Sequence, residues 1–219
     1  MELGGKWPVS IVATPDVAAG ARLWRTAGSY RLTIVVKATF APVHQGTMQL
    51  APPEPIVVDD THVEGDAARS VLAPSDLAPY LPRGEVLFVG RARSDEGAVP
   101  ALSVRLGVYG AKPLVEKTLH VVGPRTLGDH GANAPEPFLD LPITYEHALR
   151  GAMDENPAGL VPAPGCAMPT VLDPGDAAGP AGYGPISSRW PGRRRLLRQL
   201  DPALLEIAVP ELPDAFAWK

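Results

Sequence analysis

A chain of 219 residues is long enough to bury a sizeable core. Its formal charge of −4 and pI of about 5.7 argue against non-specific nucleic-acid binding, which needs a basic face. With 45% apolar and 20% charged residues, the balance is that of a folded chain and not of a disordered one.

The opening MELGGKWPVS has an acidic second residue and no apolar stretch, so no secretory signal is visible. No apolar run approaches the roughly 18 residues of a membrane span. The single cysteine, Cys166, cannot form an internal disulfide and suits a reducing compartment. The expectation is a cytoplasmic protein without membrane contact. Proline and glycine, 26 and 22 residues, set the secondary structure. Each interior proline removes a backbone donor and costs a helix about 3 kcal/mol, so strands and ordered loops are expected in place of long helices.

In chain order, YRLTIVVKATF (30–40) is the clearest strand. Leu32, Ile34, Val36, Ala38 and Phe40 share one face and Arg31, Thr33, Lys37 and Thr39 the other, the pattern of a half-buried strand. The following residues predict a turn at His44–Thr47, with Gly46 free to take a positive φ, and a short returning strand. GEVLFVGRAR (84–93), ALSVRLGVYG (101–110) and LVEKTLHVVG (114–123) then read as three successive strands. Their short links favour an antiparallel meander.

From Thr126 to Pro191 prolines recur and no long periodic segment appears. A packed but irregular covering is expected there, anchored by Phe138, Leu141, Ile143, Tyr145, Leu149 and Met168. RRRLLRQLD (193–201) is the best helix candidate, limited by Pro202. The expected fold is mainly β: an antiparallel sandwich or barrel-like meander with long Pro/Gly-rich loops and at most one or two short helices. It reads as one domain over residues 1–219, with 1–125 a β-rich scaffold and 126–219 a loop-rich covering.

Candidate chemistry is sparse. The five histidines lack the close pairing of zinc sites. Asp59, Asp60, His62, Glu64 and Asp66 form an acidic group without the ligand spacing of a calcium loop, and a solvated loop is the simpler reading. Cys166 has no histidine near it in sequence and reads as a buried or incidental thiol. Neither G-x-S-x-G nor a Walker loop occurs. GYGPIS has a G-x-G, but Ser187 stands where a dinucleotide site needs its third glycine. Arg193, Arg194 and Arg195 read as a solvated face or a patch for an acidic partner. No catalytic, cofactor or metal site is therefore assigned. The segment PAGYGPISSRWPGR (180–193) is the candidate partner-binding element, through Tyr183, Arg189, Trp190 and Arg193. Alone, either aromatic reads first as a staple pinning the loop onto a sheet; together with Arg189 and Arg193 the two suit an interaction surface.

Several stretches, in order, resemble a bacterial family first catalogued as a domain of unknown function, whose genes often lie beside type VI secretion spike and toxin genes. They are VVKATF (35–40), SDLAPYLPRGEVLFVG (75–90), VEKTLHVVGPR (115–125), LPITYEHALRG (141–151), ENPAG (155–159), PAGYGPISSRWPGR (180–193) and PELPDAFAWK (210–219). The resemblance implies a non-enzymatic adaptor or chaperone that binds a protein effector, a toxin, and helps mount it on the spike protein. It carries over no catalytic residue and implies no nucleic-acid partner. The family usually shows two glycines where this chain has Gly151-Ala152, and it commonly continues past the last segment. This chain is then a short member or lacks part of the covering. The alternatives are a metal-assisted hydrolase using the Asp59–Asp66 cluster with His62, and a structural component of a larger assembly.

Overall fold

The alternation in residues 30–40 does produce a strand, but with its faces reversed. The computed structural model describes residues 11–26, 28–78, 84–187 and 189–193. Strand β1 (Ala18–Thr26) pairs antiparallel with β2 (Ser29–Lys37), the chain turning at Gly28 with φ 78°. β3 (Thr39–Ala41) carries the extended run onward and pairs with β4 (Gln49–Ala51). Leu32, Ile34, Val36 and Phe40 are exposed, while Thr33, Val35, Lys37 and Thr39 are half-buried. The covered face meets residues 54–58 and 75–77. Lys37 Nζ donates to Asp76 at 3.0 Å and to the Pro55 carbonyl at 3.3 Å. Asp76 also accepts from Val57 N, and the Trp24 indole N–H donates to the Thr33 hydroxyl at 2.9 Å. The polar residues face inward because each finds a bonding partner there, which removes most of the cost of burying them. The predicted turn lies at Val43–Gly46, where Gly46 N donates to Val43 O; Gln45 and not Gly46 takes the positive φ, 54°.

Two compact units divide the chain. One takes Met1–Asp59, Ser75–Arg83 and Arg198–Lys219, and holds the ribbon just described; the other takes Asp60–Pro74 and Gly84–Leu197. The second unit opens with β5 (Thr61–His62) paired to β6 (Val71–Ala73). Then come β7 (Gly90–Arg93), β8 (Ala101–Tyr109) and β9 (Pro113–Val122), followed by the short pair β10 (Leu127–Gly128) and β11 (Gly131–Ala132). The last are β12 (Asp140–Ile143) and β13 (Val171–Leu172). β8 and β9 pair as expected, but β7 joins β12 in place of β8, and β13 takes the free edge of β9. The covering supplies these two strands because its buried Ile143 and Val171 join Leu119, Val121 and Ala92 in the core. Only Gly90–Arg93 of the expected 84–93 strand is strand; Phe88 N instead donates to Tyr183 O.

The expected fold class holds among the described residues: the fold is mainly β, every named strand pair is antiparallel, and no sheet closes into a barrel. Among the described residues, helical structure is limited to the 3-10 turns Val63–Gly65 and Tyr145–His147 and to residues 191–193. The rest of the candidate helix, 194–201, and the segment 210–219 lie outside the described residues. Of the expected anchors, Phe138, Ile143 and Tyr145 are buried, and Leu141 packs against the core, with Leu149 and Met168 half-buried. No helix among the described residues is long and apolar enough to cross a membrane.

Directly after β9 the backbone of Gly123 passes so close to the Glu136 carbonyl that a Cβ would collide with it. Gly123→Ala should therefore destabilise the protein by about 1–3 kcal/mol or more, read as a lower urea midpoint. Gly128→Ala, whose Cβ would meet nothing nearer than 3.4 Å, should leave the midpoint in place.

Candidate functional site

The loop 180–193 stands on two aromatic rings and a short 3-10 turn. β12 ends at Ile143 and leads into that turn, which buries Tyr145. Gly182 lies flat against the Tyr145 ring; a Cβ there would sit 3.0 Å from it. The Tyr145 hydroxyl donates to Gly184 O at 2.9 Å, and its ring meets Trp190 edge-on, 5.7 Å between centroids. Burial pushes the Tyr145 phenol up to about 12, so it stays a donor across the physiological range.

Tyr183 projects the other way. Its ring is buried edge-on to Phe88, and its hydroxyl reaches Val104 O on β8 at 2.5 Å and Lys117 O on β9 at 3.2 Å. One phenolic proton is thus shared between carbonyls of neighbouring strands, and burial raises this phenol's pKa as well. At the far end Ser187 is buried, accepting Arg189 N at its hydroxyl and Trp190 N at its carbonyl. Arg193 pairs with Glu85 at 2.8 Å. Gly192 sits on the Glu155 backbone, where a Cβ would lie 2.8 Å from the carbonyl.

The ENPAG stretch closes the site from below. Asn156 is buried, and its amide nitrogen donates to Tyr145 O at 2.7 Å and Leu149 O at 3.0 Å. Gly159 passes close to that same amide. Gly151 takes φ 85°, which favours glycine, whereas Ala152 is not among the positive-φ residues. The alanine where the resemblance leads one to expect a second glycine therefore needs no unusual backbone.

The segment 69–70 braces the turn. Tyr145 N donates to the Ser70 hydroxyl at 3.0 Å, and Ser70 N and hydroxyl donate to the two Glu146 oxygens at 2.7 and 2.5 Å. Burial works to raise the Glu146 pKa, but the Ser70 bonds, together with those from its own backbone and the Thr144 hydroxyl, outweigh it and the net shift is downward. His147 is lowered, first by burial and then by the Arg91 charge, against the raising effect of Glu146.

The sequence-predicted residues therefore divide. Tyr183 and Trp190 are buried beneath the loop, Arg193 is half-buried in an ion pair, and Arg189 is exposed. Asn156, Ser70 and Glu146, which sequence reasoning did not single out, hold the loop's footing; their only signal was the position of two of them in quoted stretches. In the acidic group, His62 Nδ1 contacts Arg69 O at 2.9 Å, Glu64 pairs with Arg69 at 2.5 Å, and Asp66 accepts Ala68 N at 2.8 Å. No three His, Cys, Asp or Glu among the described residues are grouped to hold a metal. Cys166 is an exposed thiol, not a buried one, because it ends a turn closed to Ala163 O. Thr126 and residues 128–133 line a wide, shallow depression around the β10–β11 turn.

The site is thus a braced loop on an antiparallel scaffold, with Arg189 exposed and its two aromatics turned inward. The match to protein-family models is more specific: residues 27–219 fit the family described as "Uncharacterized protein conserved in bacteria (DUF2169)", and the chain belongs to it. No curated protein and no solved structure matches the chain.

Trp190→Ala should cost about 3–5 kcal/mol and Tyr183→Phe about 1 kcal/mol, measured by urea unfolding. Glu146 and His147 both have folded-state values below the ordinary 4.5 and 6.5. Each contributes stability that is present above its ordinary value and lost as pH falls through its folded value. Thermal midpoints should therefore drop on acidification below about pH 6.5 and further below about 4.5. His147→Gln should flatten the first portion and Glu146→Gln the second.

Proposed function

We propose that the protein is a non-enzymatic adaptor that binds a toxic effector protein and helps load it onto the type VI secretion spike. What carries this reading is the loop 180–193. Its prolines narrow the unfolded ensemble, and the Tyr145, Tyr183 and Trp190 contacts hold it in one conformation. A loop ordered before binding loses less freedom on contact, so more of its contact energy survives as affinity. Arg189 is its exposed contact group, and arginine is enriched at the centres of protein interfaces. The secretion role itself comes from the resemblance of the quoted stretches, five of which meet around Tyr145 and Tyr183. The hydrolase alternative draws on Asp59–Asp66, whose His62, Glu64 and Asp66 are engaged with Arg69 and the backbone.

Co-expression with the product of a neighbouring toxin gene should yield a stable complex. Arg189→Glu should weaken it by about ten-fold or more with the unfolding midpoint unchanged. Asp60→Ala and His62→Ala should leave it intact; loss of a turnover activity in those two variants would instead favour the hydrolase.

A further inference from the structure

The ribbon of the first unit turns its more apolar face to solvent. The register places Leu23 opposite Leu32, Ala21 opposite Ile34 and Ala19 opposite Val36, all on one face, with Arg25 opposite Tyr30 at its end. Phe40 and its partner Leu50 continue that row. Leu32 is 45% exposed, Ile34 59%, Val36 66%, Phe40 51% and Leu50 51%, so the exposure follows β2 onto the β3–β4 pair, while Ala21 is buried and Ala19 and Leu23 are half-buried. A contiguous apolar patch of this kind is uncommon on a protein that works alone, whereas scattered exposed apolar residues are ordinary.

Charge says what would cover it. Residues 17–53 hold Arg22, Arg25, Arg31 and Lys37 and not one carboxylate, on a chain whose formal charge is −4. Lys37 is neutralised by Asp76 on the covered face, and Arg22 donates to Leu77 O there. Arg25 and Arg31 remain exposed at the hairpin end, stacked over Tyr30 and Trp24 at 5.7 Å each. We propose that this face is a docking surface for an extended segment of a partner protein that bears apolar side chains at alternate positions and carboxylates toward the Arg25 end. The apolar rows repeat every second residue, which matches an extended chain lying on them. Among the described residues β1 and β2 pair only with each other, leaving strand edges for such a chain to follow. Arg31 lies on the opposite face from Arg25, whereas a membrane-adsorbing surface gathers its cations around one face. The proposal rests on the adaptor reading for its biological partner, but its chemistry is testable without that partner.

The test titrates the full chain with two fluorescent peptides of equal length, both alternating leucine with threonine, one flanked at each end by two glutamates and the other by two lysines. The glutamate peptide should bind about ten-fold more tightly or better, and should protect the amides of residues 29–40 from hydrogen exchange. Ile34→Glu, and Val36→Ser as a second variant with less effect on folding, should each reduce that binding with the unfolding midpoint retained. Arg25→Glu should reduce the preference between the peptides. Equal affinity for both peptides, no binding, or binding indifferent to both apolar variants overturns the proposal. Vesicles containing phosphatidylglycerol that protect residues 29–40 in place of the peptide overturn it in favour of a membrane surface. A dimer seen by light scattering that Ile34→Glu disperses overturns it in favour of self-association. If Ile34→Glu loses the peptide but keeps the co-expressed effector, the face is a docking surface and the effector does not use it. If no effector complex forms while the peptide result stands, the adaptor reading alone fails.

Discussion

Tyr145 is the point on which the second unit's loops depend. Its backbone N–H is held by Ser70, its carbonyl by Asn156, its hydroxyl by Gly184 and its ring by Trp190 and the glycine at 182. Three stretches far apart in sequence, 69–70, 155–159 and 180–193, are thereby tied to one residue. A loop-rich covering has few ladder bonds of its own, and its backbone groups must still be satisfied when buried. Concentrating side-chain bonds on one buried tyrosine solves that locally. The phenol's raised pKa follows from the same burial and keeps its proton in place.

This arrangement changes the meaning of the aromatics in the loop. A tryptophan and a tyrosine beside two arginines can read as a hot spot, but here Trp190 and Tyr183 are buried and fasten the loop, with Arg189 left exposed. Tyr183 in particular spans β8 and β9, so the loop is fastened to the core sheet and not only to the neighbouring turn. Glycines at 182 and 192 are required by close approach, where a Cβ would meet the Tyr145 ring or the Glu155 carbonyl. Rigidity of that kind suits recognition of a preformed surface, and it gives the adaptor reading a physical basis.

The first unit follows a different rule. Its ribbon covers a mixed face through Lys37, Asp76, Trp24 and Thr33, each with a bonding partner, and leaves aliphatic side chains in water. Burying a leucine, isoleucine or valine fully contributes about 1.5–3 kcal/mol, so leaving a row of them half-exposed forgoes stability that a partner can supply. The two units thus present two unlike surfaces: a polar, braced loop and an apolar, cationic ribbon.

Composition and alternation alone settled a good deal. Twenty-six prolines excluded a helical fold, and the apolar runs 101–110 and 114–123 placed β8 and β9 within a residue of where they are found. The grouping of Leu32, Ile34 and Val36 on one face was equally legible, as were Phe138, Ile143 and Tyr145 as anchors. Tertiary structure alone decided which face of β2 meets the rest of its unit, because period two says which residues share a side and nothing of what lies opposite. It also decided that β7 pairs with β12 and that β9 takes β13, since a strand's partner depends on which distant segment buries its apolar residues alongside. The roles of Ser70, Asn156 and Glu146 were invisible for the same reason: each is defined by a hydrogen bond to a residue made near only by the fold.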